Sequence, residues 1–218
     1  AAPMVSGAAA LLLQAYPNRT PMQIKAMLMN TAFTDILSDP LGEPGVLAPI
    51  ARIGAGELRV DRAAAAQVIA FNPSQKSASL SFGFQAVSSV GFFTENLRLR
   101  NFSNQPKQVR LSSSFRYDND RASGAVRISL PSAIVLPPNG SVTIPVLMTV
   151  DARRLPAWVQ DGADLGTAGT TFAANEFDGY IKIDDGQAPI TVPWHIMPRK
   201  ASAVVTSGGG TTQTPIAV

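Results

Sequence analysis

A single histidine, His195, and the absence of cysteine limit the chemistry that these 218 residues can carry by themselves. Without cysteine there are no disulfides, thiolate metal sites or cysteine nucleophiles. His195 falls in an alternating run, opposite Ile190, Val192 and Trp194, which predicts an exposed side chain. For His195 to join a Ser–His–Asp triad, distant loops would have to supply the serine and the carboxylate. Asp118-Asn119-Asp120 and Asp184-Asp185-Gly186 have the composition of calcium loops. Neither continues into spaced ligands or a closing glutamate, so both fit turns better. Asp161 and Asp164 offer two more carboxylates in a glycine-containing stretch, while Gly54-Ala55-Gly56 lacks the third glycine and the Lys-Ser/Thr of a phosphate loop. Asn18-Arg19-Thr20, Asn101-Phe102-Ser103 and Asn139-Gly140-Ser141 fit the N-glycosylation pattern, which matters only in a eukaryotic secretory host.

Composition narrows the classes. Charged residues make up 15% and apolar residues 45%, against a usual charged share of about 25%, so the chain is rich in core-forming residues. The 18 Lys and Arg against 15 Asp and Glu give a net charge of only +3, and Arg153-Arg154 and Arg199-Lys200 are the only basic pairs. A nucleic-acid binder would cluster its basic residues, so no nucleic-acid partner is expected. No apolar run reaches the roughly 20 residues of a membrane span. The length fits one large domain or two small ones.

The elements that must position any site begin with residues 4–16, MVSGAAALLLQAY, whose clearly polar members are Ser6 and Gln14. A helix that is apolar all round belongs in the middle of a structure. This run is therefore expected to be fully buried, and the chain to be a fragment of a larger fold. Pro17-Asn18-Arg19 breaks the helix, and Thr20-Pro21 opens a second with an N-cap and a first-turn proline. Ile24, Met27, Leu28 and Thr31 share one face of that helix, with Lys25 and Asn30 off it. Residues 35–50 read as a Pro/Gly-containing loop, followed by Leu58, Val60 and a helical run over residues 62–68.

Three ordered motifs within residues 1–66 resemble the C-terminal part of the catalytic domain of subtilisin-like serine proteases. Ala1-Ala2-Pro3-Met4-Val5-Ser6-Gly7-Ala8-Ala9-Ala10-Leu11-Leu12 resembles the helix after the family's Gly-Thr-Ser-Met nucleophile motif. Thr20-Pro21 with Ile24-Lys25, Leu28 and Thr31-Ala32 resembles the next helix, and Gly54-Ala55-Gly56, Leu58, Val60 and the alanines from Ala63 resemble the closing segment. Met4 departs from the family's frequent non-catalytic histidine at its position. The resemblance implies that the nucleophilic serine lies just before Ala1 and that the rest of the triad is further upstream, leaving no catalytic residue in this chain. It implies for Ala1, Ala2, Pro3, Val5 and Gly7 a role as support of the nucleophile helix. A plain core helix fits the same residues.

From about Ser77 the periodicity becomes two. Leu97 and Leu99, Val109 and Leu111, and Val126, Ile128 and Leu130 alternate with polar residues, as do Val142, Ile144, Val146, Met148 and Val150. Ile181 and Ile183, then Ile190, Val192, Trp194 and Ile196, complete the pattern. About seven half-buried strands separated by Asn104-Gln105-Pro106, Pro137-Pro138-Asn139-Gly140 and Asp184-Asp185-Gly186 predict an immunoglobulin-like or fibronectin-III-like sandwich. Leu99-Arg100-Asn101-Phe102-Ser103, Pro138-Asn139-Gly140 with its following Val/Thr strand, Gly179-Tyr180-Ile181 and Val192-Pro193-Trp194 resemble the fibronectin-III-like domain that follows the catalytic domain in large bacterial subtilases. Residues 155–159 suggest one helical turn, residues 162–175 a functional loop or a disordered insertion, and residues 201–218 a linker or tail.

The expected fold class is therefore mixed: an α-helical C-terminal remnant of an α/β subtilisin-like domain, then an all-β immunoglobulin/fibronectin-III-like sandwich. The expected boundaries are residues 1–70 for the helices, 77–198 for the sandwich and 199–218 for the tail. The resemblance implies the C-terminal part of a secreted or cell-envelope bacterial serine endopeptidase. Its partners would be the remainder of its own catalytic domain and protein or peptide substrate. It implies no cofactor in this chain and leaves room for calcium in the parent. The alternative is a non-catalytic fibronectin-III-like binding or spacer module, and a pseudoprotease differs from the leading reading only at residues upstream.

Overall fold

The computed structural model describes residues 2–158 and 175–201. Helices α1 (Ala2–Ala15) and α2 (Pro21–Asn30) form the expected hairpin. Thr20 caps α2 reciprocally: its hydroxyl accepts the Gln23 N–H, its own N–H donates to the Gln23 side chain, and Pro21 opens the first turn. Residues 35–50 are more ordered than their Pro/Gly content suggests. Strands β1 (Leu37–Asp39) and β2 (Glu43–Leu47) pair antiparallel, and the short helix α3 (Ile50–Ile53) follows. Beyond it, Phe33 and Glu57 exchange backbone hydrogen bonds of 2.8 Å. Gly56 makes that approach feasible, since a Cβ there would lie 2.2 Å from the Phe33 carbonyl oxygen.

Helix α4 (Val60–Ala65) ends earlier than the helical run expected over residues 62–68, and strand β3 (Val68–Phe71) begins. Val68 and Ala70 face the sandwich core, while Ile69 and Phe71 face the helices. A strand covered on both sides has no polar alternation, so it reads as a continuation of the apolar helix.

The remaining elements are β4 (Leu80–Val87), β5 (Val90–Asn101), β6 (Lys107–Phe115), α5 (Asp118–Ser123), β7 (Val126–Ser129), β8 (Ala133–Leu136), β9 (Ser141–Asp151), a 3₁₀ turn at Ala152–Arg154, β10 (Phe177–Asp184) and β11 (Ile190–Lys200). They build a mostly β fold of two sheets, ordered β4-β11-β10-β6-β8 and β3-β5-β9-β7. Pairing is antiparallel except between β4 and β11, which run parallel. Leu97, Leu99, Val146, Met148 and Val150 from one sheet meet Val109, Ile181, Val192, Trp194 and Ile196 from the other. β10 passes close to its neighbours at Gly179, where a Cβ would fall 1.9 Å from the Ser114 carbonyl oxygen and 2.8 Å from the Trp194 ring.

A second, smaller core joins Ala8 and Leu12 of α1 to Ile24 and Met27 of α2, Ala63 of α4 and Ile69 of β3. It corrects the expectation that α1 is fully buried. Only Ala8 and Leu12 of α1 are buried, and Met4, Val5, Leu11 and Leu13 are 70%, 49%, 57% and 43% exposed. The physical reason is coverage: α2 and α4 pack along one strip of a helix that is apolar on every side. Asn30 is a second correction, because it is only 1% exposed although the helical wheel sets it off the apolar face. Among the described residues, no helix is long and apolar enough to cross a membrane.

Candidate functional site

Of the residues expected to support a nucleophile helix, Ala1 lies outside the described residues. Ala2, Pro3, Val5 and Gly7 occupy the first half of α1 and are all exposed. A Cβ added to Gly7 would meet nothing within 4 Å, so nothing among the described residues crowds this end of the helix. The opposite end is anchored. The Tyr16 hydroxyl donates to the Ala64 carbonyl, and the Arg19 guanidinium lies 3.1 Å from the centre of the Phe102 ring. The structure thus presents α1 as a helix held at its C-terminal end and along one strip, with its N-terminal half bare.

A second assembly of polar side chains lies where residues 30–50 meet the sandwich, and sequence reasoning did not find it. Asn30 joins both sheets to α2: its Oδ1 accepts the Ala70 N–H at 2.8 Å and its Nδ2 donates to the Thr191 carbonyl at 3.1 Å. Arg116, just past β6, is buried and donates to the carbonyls of Ala48 at 2.8 Å, Thr34 at 2.7 Å and Ile36 at 3.1 Å. It also donates to the Tyr180 hydroxyl at 3.1 Å. The Tyr117 hydroxyl donates to the Leu47 carbonyl, and Asp178 accepts the Ile50 N–H at 2.6 Å. Burial pushes the Asp178 carboxyl up to about 6. Burial, then the Asp178 charge, pushes Asp120 up to about 7. Tyr117 and Tyr180 are raised as well, chiefly by burial.

His195 belongs to this neighbourhood, which corrects the expectation that it is exposed. Its side chain is 24% exposed, and its Nε2 stands 3.2 Å from Oε2 of Glu176. The reason is its register opposite Asp178, on the face that α3 covers. Asp120 departs from a simple surface turn, since it sits buried in α5. Asp184-Asp185-Gly186 is a turn in which Asp184 accepts the Gly186 N–H, and Asp185 pairs with Lys107 at 2.7 Å. Asp161 and Asp164 lie outside the described residues, as do residues 202–218. Among the described residues, no group of three His, Asp or Glu is placed to hold a metal ion. Of the glycosylation patterns, Asn101 is fully buried and its Nδ2 donates to the Gln105 and Pro137 carbonyls, whereas Asn18 and Asn139 are exposed. A cleft of about 670 Å³ opens beside the seam, lined by Asn30, Asp35, Arg62, Gln67, Asp185 and Thr191 among others.

A sequence model of the Subtilase family matches residues 1–81. No curated protein matches the chain. Among solved structures, a FixG-related protein from Vibrio parahaemolyticus is similar at 13% identity and a TM-score of 0.33, over 51% of this chain and 98% of that one. PapD-like domain 7 of human CEP192 gives 14% identity and 0.35, over 63% and 87%. The CooA pilin subunit from enterotoxigenic Escherichia coli gives 13% identity and 0.34, over 63% and 100%.

Proposed function

We propose that residues 1–66 are the closing helices of a subtilisin-like serine endopeptidase domain, and that residues 77–198 form a fibronectin-III-like sandwich bracing that domain or positioning its protein substrate. The Subtilase match over residues 1–81 carries this reading. The bare apolar surface of α1 supports it, because Met4, Val5, Leu11 and Leu13 are what a helix offers to a further layer of the same fold. In this reading the nucleophilic serine stands just upstream of Ala1. There the first N–H groups of α1 and the positive end of its dipole favour negative charge developing on the substrate oxygen. The serine attacks the peptide carbonyl, a histidine and an aspartate from upstream handle the proton, and an acyl-enzyme forms and is hydrolysed. Ala2, Pro3, Val5 and Gly7 set the course of the helix behind it. The parent would be a secreted or cell-envelope bacterial protein acting on protein or peptide substrates, and any calcium would belong to the parent.

Labelling by an active-site-directed fluorophosphonate tests this. A chain extended upstream through the Gly-Thr-Ser-Met motif and the remaining triad is expected to label, and the 218-residue chain is not. Labelling of the 218-residue chain, or its absence in the extended one, would refute the reading.

The seam favours a second reading. Asn30, Arg116 and Asp178 tie the helical layer to the sandwich through buried hydrogen bonds, as in a single non-catalytic binding or spacer module. Hydrogen exchange separates the two. In a monomer of the 218-residue chain, α1 should exchange far faster than the sandwich if it lacks its covering layer, and as slowly if it belongs to the module.

A further inference from the structure

The two basic pairs of the sequence, Arg153-Arg154 just after β9 and Arg199-Lys200 at the close of β11, reach the same end of the sandwich. Lys200 pairs with Val87 at the end of β4, and the Ala201 N–H continues that ladder to the Val87 carbonyl at 3.0 Å. Two residues on, the Ser89 carbonyl accepts the Ala152 N–H at 2.7 Å, which sets the 3₁₀ turn bearing Arg153 and Arg154 beside this edge. That turn also packs against β11. The chain then reaches Trp158, whose ring lies 5.3 Å from the Arg199 guanidinium and meets the Phe84 ring edge-on at 6.5 Å.

The charges here are not balanced. Arg153 and Arg154 share one carboxylate, Asp151, at 3.0 and 3.7 Å. Glu176, the other carboxylate on these segments, is turned inward beside His195. Arg199 and Lys200 are both exposed, and no carboxylate among the described residues pairs with either. Between Trp158 and the end of β11 lies a pocket of about 210 Å³, walled by Pro156, Trp158, Phe177 and Pro198 and completed by Asn175, Arg199 and Lys200. Phe84 and Trp158, 55% and 36% exposed, add apolar surface beside it.

We propose that this end of the sandwich docks an acidic peptide segment, which seats one apolar side chain in the pocket and sets its flanking carboxylates on the two basic pairs. The charge imbalance selects an anion, and a guanidinium takes a carboxylate through two parallel hydrogen bonds. The walls select what carries it. Pro156, Phe177 and Pro198 offer no side-chain hydrogen bond, so a sugar ring seated there would bury hydroxyls without partners. Arg199 already lies over one face of Trp158, the ring on which a nucleobase would stack. An apolar side chain meets neither obstacle. No part of the site lies in residues 1–66, so the inference stands whether or not they belong to a protease.

Fluorescence titration of the whole 218-residue chain tests it, because Trp158 is partly exposed and Trp194, the second tryptophan, is fully buried. The probe is a short peptide alternating glutamate and leucine. Trp158 emission is expected to shift to the blue as the peptide excludes water, and Trp158→Phe should abolish the shift. Arg199→Ala combined with Lys200→Ala should weaken binding by at least about tenfold. Lys182→Ala, exposed at the opposite end of β10, should leave it unchanged. Raising salt from about 20 to about 200 mM should weaken wild-type binding several-fold, which covers the case in which the double variant fails to fold. No emission shift, salt-independent binding, or equal binding of a lysine–leucine or glutamate–serine peptide would overturn the proposal. Tighter binding of polygalacturonate or oligothymidylate than of the peptide would overturn it as well.

Discussion

Leu12 and Leu97 are both fully buried leucines, yet their surroundings differ. Leu97 lies between two sheets whose strands turn alternate residues into one shared core, so the sandwich closes on itself. Leu12 sits in a helix whose neighbours Leu11 and Leu13 both point outward. Strands that alternate need one partner layer, whereas a helix that is apolar all round needs at least two, and the described residues supply α1 with one strip. Among the described residues the sandwich thus closes on its own core, while α1 leaves Met4, Val5, Leu11 and Leu13 uncovered. Between them lies the seam, built from buried hydrogen bonds.

The comparison can be broken most sharply in the sandwich. Trp194→Ala should cost about 4 kcal/mol in urea unfolding, because a fully buried indole leaves a cavity that both sheets line. Arg116→Ala should cost about 3 kcal/mol by stripping the carbonyls of Thr34, Ile36 and Ala48 of a charged donor. Its signature is faster hydrogen exchange in residues 34–48 before any change in the sheets. Asn30→Ala should cost about 2 kcal/mol, since the Ala70 N–H and the Thr191 carbonyl both lose their partner. A loss confined to α2 and β3 would mark it as a local staple. The smallest effect is expected at Leu11→Ser combined with Met4→Ser, at under about 0.5 kcal/mol. Those changes should instead reduce self-association in sedimentation, and a large loss of stability would mean that α1 is packed in solution.

The sandwich was largely legible because burial on one face writes itself into the sequence as alternation. Leu97, Leu99, Val109, Ile144 and Val146 are buried as that pattern requires. The α2 start was legible for a local reason, since Thr20, Pro21 and Gln23 make its cap within four residues. β3 was hidden because both its faces are covered. The seam left no pattern at all. Arg116 reaches backbone carbonyls 68, 82 and 80 positions away, and an acceptor that every residue carries leaves no mark in a sequence. Asp178 likewise meets an N–H 128 positions away, and His195 is drawn inward by the α3 segment lying over its strand. The role proposed for Ala1, Ala2, Pro3, Val5 and Gly7 rests on resemblance, since small apolar side chains carry no chemistry of their own.

The parallel pairing of β4 with β11 bears on the order in which the chain folds. β11 sits between β4 and β10 in its sheet, although among the described residues it is the last strand in sequence. β4 therefore waits for a neighbour more than a hundred residues away, and a chain emerging from the ribosome carries an unpaired edge until residues 194–200 arrive. Truncation before Ile190 would strand β4 and leave β10 as a bare edge, so closure of this sheet is a late event.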